Sequence, residues 1–332
     1  MRAVLMTAAG GPEVLQLREV PAPKIERDRE LLIRLRAAGI NPIDTKLRRR
    51  GTFYRDQMPA VLGCDGAGIV EAVGAGVEKF AVGDEVYFCS GGLGSRTGNY
   101  AEWTVVDERF VARKPKSLSF EAAAAAPLVL ITAWEGLYDR GRLEAGRSVL
   151  IQAAAGGVGH VAVQLAKLQG ALVCGTVGSP AQADFVRQLG CDRAILYKQT
   201  DFVSAVLDWT NGTGVDLAFD LVGGETFAQT FPAVKLYGDL VTLLQPAPET
   251  QWKAARTRNL RISLELMLTP MLQNQVTEQQ DQAHILSQCA QLFDRNQLKI
   301  CVRQTFPLEA AAEAHRLLEQ GSMMGKLVLT IL

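Results

Sequence analysis

The sequence predicts an α/β protein built in two parts: a barrel-like, strand-rich region and a parallel sheet wrapped by helices. Three observations predict it. The first 120 residues hold several short strand-like runs punctuated by glycine and proline, as in Gly10-Gly11-Pro12, Gly74-Ala75-Gly76 and Gly91-Gly92-Leu93-Gly94. The character then changes near Ser119, where an alanine-rich helix former begins. Beyond it, strand and helix patterns alternate from residue 148 to residue 244, which is the signature of a parallel sheet.

Taken in order, the chain enters strand-like at Met1-Arg2-Ala3-Val4-Leu5, and residues 31–36, 68–74, 84–88 and 102–106 read as further strands. Short strands with frequent turns suit a barrel-like all-β region. Ser119 followed by Glu121-Ala122-Ala123-Ala124 reads as an N-cap and a helix. Strands are expected at 148–152, 171–177, 193–197, 215–221 and 238–244, with helices at 159–169, 180–188, 201–209 and 225–236 between them. A polar helix over 278–295 follows, then strands at 300–303 and 327–331 flanking a helix at 308–319. This tail is expected to rejoin the N-terminal β region.

The composition narrows the function. The chain has 332 residues, about two domains' worth. Its 35 Lys and Arg balance 35 Asp and Glu, which argues against a nucleic-acid binder and gives no reason to expect an anionic membrane. Hydrophobic residues make up 48%, enough for a large core. No apolar run reaches the roughly 18 residues that span a bilayer, and the N-terminus lacks a signal-peptide pattern, so a cytoplasmic protein is expected. The six cysteines form no C-x-x-C pair, and the three histidines have no partner at a metal-ligand spacing, so neither a disulfide framework nor a zinc site is expected.

The strongest motif is the apolar run Val149-Leu150-Ile151 leading through Gln152 to Ala153-Ala154-Ala155-Gly156-Gly157-Val158-Gly159. Ala154-x-Gly156-x-x-Gly159 is the dinucleotide fingerprint with alanine at the first glycine, placed after a strand and before a helix. Small residues let the backbone approach a pyrophosphate, and the helix start offers free N–H groups. About 20 residues on, an NAD-specific site carries an acid; here the stretch is Thr176-Val177-Gly178-Ser179. Without a carboxylate it admits a 2′-phosphate, to which Ser179 can donate. Arg187 is a more distant cation, or a solvated helix residue.

The ordered set of motifs resembles the medium-chain dehydrogenases/reductases, in their zinc-independent quinone oxidoreductase (zeta-crystallin-like) group. It runs through Gly39-Ile40-Asn41-Pro42-Ile43-Asp44, Leu62-Gly63-Cys64-Asp65-Gly66, Val82-Gly83-Asp84-Glu85-Val86, Gly98-Asn99-Tyr100-Ala101-Glu102 and Gly325-Lys326-Leu327, covering the whole chain. The resemblance implies a GroES-like catalytic domain over 1–120 and 297–332, interrupted by a Rossmann NADP-binding domain over 121–296. It implies NADPH as cofactor, a quinone or enone as substrate, and a homodimer or homotetramer, for which the apolar stretch 260–272 is the candidate edge.

Zinc-dependent relatives place ligands where this chain has Asn41, Cys64-Asp65 and about Leu128, so a metal site is not expected. The resemblance puts Asn41 and Thr132 beside the nicotinamide, with Asp44 near the same cleft; Asn41 could instead be a turn residue before Pro42. Ala154, Gly156, Gly157, Val158 and Gly159 would hold the pyrophosphate, and Ser179 and Tyr197 the 2′-phosphoribose. Lys326 would reach the cofactor cleft, or face solvent at a strand edge. Lys46 stands where typical quinone reductases have tyrosine, and could donate to the acceptor oxygen or face solvent beside Arg48-Arg49-Arg50. Tyr54 is offset by one from another tyrosine position of the group. Gln182 replaces a usual Lys or Arg contact to the 2′-phosphate. The expected activity is hydride transfer from NADPH to a quinone or other conjugated carbonyl. The alternatives are an alkenal or enone double-bond reductase, or a NADPH-binding sensor or structural protein.

Overall fold

The computed structural model describes every residue except Arg55 and Arg96. The chain divides into two compact units, Met1–Leu128 with Leu268–Leu332, and Val129–Met267.

The first unit opens with β1 (Arg2–Met6), β2 (Leu15–Glu19), β3 (Glu30–Ile40), α1 (Pro42–Arg50), β4 (Ala60–Val61), β5 (Asp65–Val73), β6 (Glu85–Cys89), β7 (Trp103–Asp107), β8 (Val111–Arg113) and α2 (Phe120–Ala124). Helix α1 is not among the elements expected above. It starts because Pro42 fits a first helical position and Asp44 turns back to accept the Asn41 N–H at 2.8 Å. Ser119 caps α2 by accepting the Ala122 N–H at 3.2 Å, as its sequence predicts.

The second unit carries α3 (Pro127–Trp134), which begins at the boundary, then β9 (Ser148–Ile151), α4 (Gly157–Leu168), β10 (Leu172–Val177), α5 (Pro180–Gln188), β11 (Arg193–Leu196), α6 (Phe202–Trp209), β12 (Val215–Asp220), α7 (Gly224–Gln229), β13 (Val234–Thr242), α8 (Lys253–Thr257) and β14 (Arg261–Leu264). All six strands are parallel, in the order β11-β10-β9-β12-β13-β14. That is the order of a dinucleotide-binding sheet, whose ligand crevice lies at the carboxyl ends of the central strands. Its core includes Leu150, Cys174, Ala218, Phe227 and Leu240. The expected helix over 225–236 is shorter: Pro232 falls where it would continue, and Val234 already pairs with Val215.

The tail returns to the first unit with α9 (Thr269–Leu272), α10 (Val276–Asp294), β15 (Val302–Pro307), α11 (Ala311–Glu319) and β16 (Lys326–Thr330). Strand β16 pairs with β3, and the resulting seven-stranded sheet runs β15-β16-β3-β5-β6-β8 with β7 also on β3. A three-stranded sheet, β2-β1-β4, stands apart from it. Residues 100–102 tie the two sheets: the Tyr100 carbonyl accepts from Val4 at 2.8 Å and the Glu102 carbonyl from Leu35 at 2.9 Å. The unit boundaries fall at 128 and 268, whereas the sequence places the change of character at 120 and 297. Helix α2 packs on β3 and β5, and α10 on β8, which keeps both in the first unit.

Candidate functional site

Each unit carries one cluster of candidate residues. In the second unit it is the turn between β9 and α4. Ala153 holds a left-handed backbone (φ 50°), and its N–H donates to Thr176 Oγ1 at 3.0 Å. Thr176 in turn donates to Gln152 Oε1 at 2.6 Å, and the Ala154 N–H donates to the Thr176 carbonyl at 3.0 Å. The turn is therefore pinned to β10 from both sides. At Gly159 a Cβ atom would lie 2.3 Å from the Ala153 carbonyl oxygen, so only glycine lets α4 start this close to the turn. Ala154 is buried, and Gly156, Gly157 and Val158 are half-buried at the first turn of α4. Amides in a helix's first turn have no intrahelical acceptor, and the helix dipole favours an anion there. This cradle fits a pyrophosphate.

At the end of β10, Ser179 caps α5 by accepting the Gln182 N–H at 3.3 Å, while the Gln182 side chain accepts the Gly178 N–H at 2.8 Å. The Tyr197 hydroxyl lies 3.5 Å from where a Cβ on Gly178 would stand, and half of that side chain is exposed. The fold thus gathers Gly178, Ser179, Gln182 and Tyr197 with no carboxylate among them. Thr132 is buried on α3.

In the first unit the candidate residues form an interior polar cluster. Asn41, Asp44 and Asp65 have no exposed surface, and Lys326 is 3% exposed. The Lys326 ammonium donates to the Ile40 carbonyl at 2.9 Å and to Asn41 Oδ1, and lies 3.8 Å from Asp65 Oδ2. Asn41 Nδ2 donates to that same Asp65 oxygen at 2.8 Å, and the Leu128 N–H donates to the other at 2.8 Å. Lys326 is thus no solvated strand-edge residue. Burial lowers its pKa, and Asp65 and Asp44 oppose that shift. Burial raises Asp65 in turn, opposed first by Lys326.

Asp44 accepts at Oδ2 from the Asn41 N–H and, at 3.0 Å, from the Tyr100 hydroxyl. Burial pushes its carboxyl up to about 7 despite those two donors. Lys46, two residues on, leaves α1 on the opposite side and is exposed, so α1 does not bring it beside Asp44. Tyr54 is half-buried, and the 89–99 loop includes Arg96, outside the described residues. Tyr100 and its partner His315 are members of this cluster that sequence reasoning did not single out. A lone histidine inside an apolar helix pattern was the available signal.

All six cysteines are free, and burial raises the Cys64 thiol far above its ordinary range, so it is held protonated. Among the described residues no three His, Cys, Asp or Glu side chains are grouped to hold a metal ion. Nor is any helix among them long and apolar enough to cross a membrane.

Two family models match the chain: the alcohol dehydrogenase GroES-like domain over residues 27–116 and the zinc-binding dehydrogenase model over residues 189–329. A quinone oxidoreductase of Pseudomonas aeruginosa is 34% identical over 328 residues, 99% of each chain. The solved structure of an Escherichia coli quinone oxidoreductase complexed with NADPH is 28% identical with a TM-score of 0.88, covering 100% of both chains. A solved structure named as an NAD-dependent alcohol dehydrogenase is 35% identical with a TM-score of 0.90, again over 100% of both.

Proposed function

The chain belongs to the quinone oxidoreductase group of the medium-chain dehydrogenases/reductases, and from that premise we propose a metal-independent reductase of quinones or other conjugated carbonyls. It is an NADPH-dependent oxidoreductase. The glycine cradle before α4 fits the pyrophosphate, and Gly178, Ser179 and Tyr197 fit a 2′-phosphoribose, since no acid stands there to repel it. The reduced nicotinamide supplies hydride when bound. The protein's own residues then have to orient the acceptor, exclude water and provide one proton. We assign Thr132 to contact with the bound molecules; Asn41 and Asp44, which have no exposed surface, act by fixing the backbone where α1 begins. Lys326 acts by holding Asn41; Lys46, exposed on the far side of α1, is at most a contact for the acceptor's outer edge.

The observation that carries the metal-independent reading is the place of Lys326. The positions at which zinc-dependent relatives bind metal fall here on Asn41, Cys64-Asp65 and Leu128. In this chain the Asn41 amide is committed to Lys326 and Asp65 and Leu128 offers only a backbone N–H, which leaves Cys64-Asp65 as the one position of the three with a donor for a metal. A zinc ion would meet a buried ammonium, and one willing ligand does not hold a catalytic zinc. The residues do not fit the metal. An acceptor that is already electrophilic needs no Lewis acid, which favours quinones and enones over alcohols.

NADPH oxidation with 1,4-naphthoquinone and with a short alkenal, offered in parallel, tests this. Turnover of either is expected, unchanged by 1,10-phenanthroline or EDTA, and the faster acceptor assigns the subclass. Loss of activity with chelator, restored by zinc, would overturn the metal-independent reading.

Assembly is a second expectation. Strand β14 is the edge of the parallel sheet, and Leu264 and Leu266 are 70% and 54% exposed. An open apolar edge recruits another strand, and we propose that a second copy covers it. Light scattering should give twice the monomer mass, and Leu264→Lys should halve it. A monomeric wild-type protein at working concentration removes the idea.

A further inference from the structure

A groove between α10 and β8, within the first unit, shares no residue with the site described above. It holds about 500 Å³, within the range of small-ligand sites. Phe80, Val111 and Ala283 give it an apolar floor. Five cations line it as well, Lys79, Arg109, Arg113, Lys114 and Lys116, against one carboxylate, Asp294. That is a local excess in a chain whose charges balance overall.

The fold fixes three of these cations in advance. Arg113 is held by Asp84 at 2.7 Å, donates to the Lys79 carbonyl at 3.1 Å and lies over the Phe80 ring, 5.4 Å from its centroid. Arg109 donates to both oxygens of Asp107 from Nε and Nη2, at 2.9 and 2.8 Å. The Lys114 ammonium is already committed, to the carbonyls of Pro115 and Leu118 and to Glu85 at 3.2 Å. Asp84, Glu85 and Asp107 grip these side chains from outside the groove, since none of the three lines it. Lys79 and Lys116 differ. Both are exposed, and among the described residues neither ammonium has a hydrogen bond or an ion pair. From the other wall α10 presents His284, Ser287 and Gln291, spaced to share one helix face, and these add side-chain donors. Asp294 ends the groove, accepting the Ser117 N–H at 2.9 Å, and Asp281 is exposed one turn before His284. Acids thus bound the positive stretch at both ends, which suits a small anion and not a polymer.

We propose that this groove binds a phosphate monoester of a small organic molecule, on residues other than those that hold the cofactor. Such an ester carries about −1.5 to −2 charges near pH 7, which matches the two unpartnered lysines. A monocarboxylate would leave one of them without a counter-charge. The planar guanidiniums of Arg109 and Arg113, held in place from behind, present N–H donors to phosphate oxygens. The floor around Phe80 and Val111 takes the organic part. The inference does not rest on the reductase reading.

Calorimetric titration of the NADPH-saturated protein with phenyl phosphate tests the site, because saturation keeps the probe out of the cofactor's own phosphate seats. One-to-one binding is expected, weakening as KCl is added, since salt screens exposed charges. Phenol should not bind. The double variant Lys79→Ala/Lys116→Ala should bind phenyl phosphate about tenfold more weakly, two exposed charge pairs being lost, with NADPH Kd unchanged. Both lysines are exposed and unpartnered, so the variant keeps the fold. No binding to the NADPH-saturated wild type, equal binding of phenol, or undiminished binding in the double variant overturns the site. Binding that appears only when NADPH is withheld puts the probe in the cofactor cradle and overturns it as well.

Discussion

Gly156→Asp lowers NADPH affinity by at least about a hundredfold, or ~2.7 kcal/mol, while the protein stays as stable as the wild type. The two halves of this result have one cause. Gly156 is the residue before α4, with φ −72° and ψ −176°, a backbone that any residue adopts. A Cβ there would lie 3.2 Å from the Ala153 carbonyl oxygen, tight but without overlap. An aspartate at this position caps a helix, its carboxylate accepting first-turn N–H groups, which is worth about 0.5–2 kcal/mol against an uncapped residue. Those same N–H groups are the ones a pyrophosphate needs. The carboxylate therefore competes for the donors and repels the phosphates; two unit charges about 4 Å apart at a protein surface oppose each other by ~4 kcal/mol. Fluorescence titration of NADPH and thermal unfolding measure the two halves separately. Undiminished affinity would show that the turn does not hold the pyrophosphate. Gly159→Ala makes the contrast: its Cβ would overlap the Ala153 carbonyl at 2.3 Å, so that variant should lose stability as well.

The second unit was the more legible in sequence because its signals are local. Strand, turn and helix around Gly156 lie within about twenty residues, and α5 spans the residues its pattern predicts, from the Ser179 cap to Gln188. Helix α1 carried a comparable signal: Asn41 at the cap, Pro42 first, Asp44 in the first turn and three arginines at the end, where the dipole favours them. Weighing Asn41 as a nicotinamide contact or, alternatively, a turn residue before Pro42, and not as a helix cap, hid it, and with it the fact that Asp44 and Lys46 diverge. The interior cluster was legible only in part. Asn41, Asp44 and Lys326 were reached through resemblance, residue by residue. Tyr100, Arg48 and His315 were not, because residues 44, 100 and 315 meet only when β16 closes on β3 and α11 packs on α1. No periodicity in the chain announces a contact across 215 residues of sequence.

Lys326→Met destabilises the protein by about 3–5 kcal/mol at pH 8, because it strands a charged carboxylate in the interior. Methionine keeps the length of the stem, so packing changes little and the loss is electrostatic. Asp65 would retain the Asn41 and Leu128 donors, but no cation. Burial already raises its pKa with Lys326 opposing; removing Lys326 raises it further. A carboxyl whose pKa is higher folded than unfolded binds its proton more tightly in the folded state. The variant therefore gains stability as pH falls from that raised value toward the ordinary ~3.9, and loses it as pH rises. Its deficit against the wild type should be largest at pH 8 and smaller at pH 5, as denaturant unfolding at the two pH values would show. Adding Asp65→Asn removes the stranded charge, so the double variant should recover much of the loss at pH 8. An equal deficit at both pH values, or no recovery in the double variant, would mean that Lys326 is held for its packing alone. The ammonium would then lend no support to the proposed metal-independent reading.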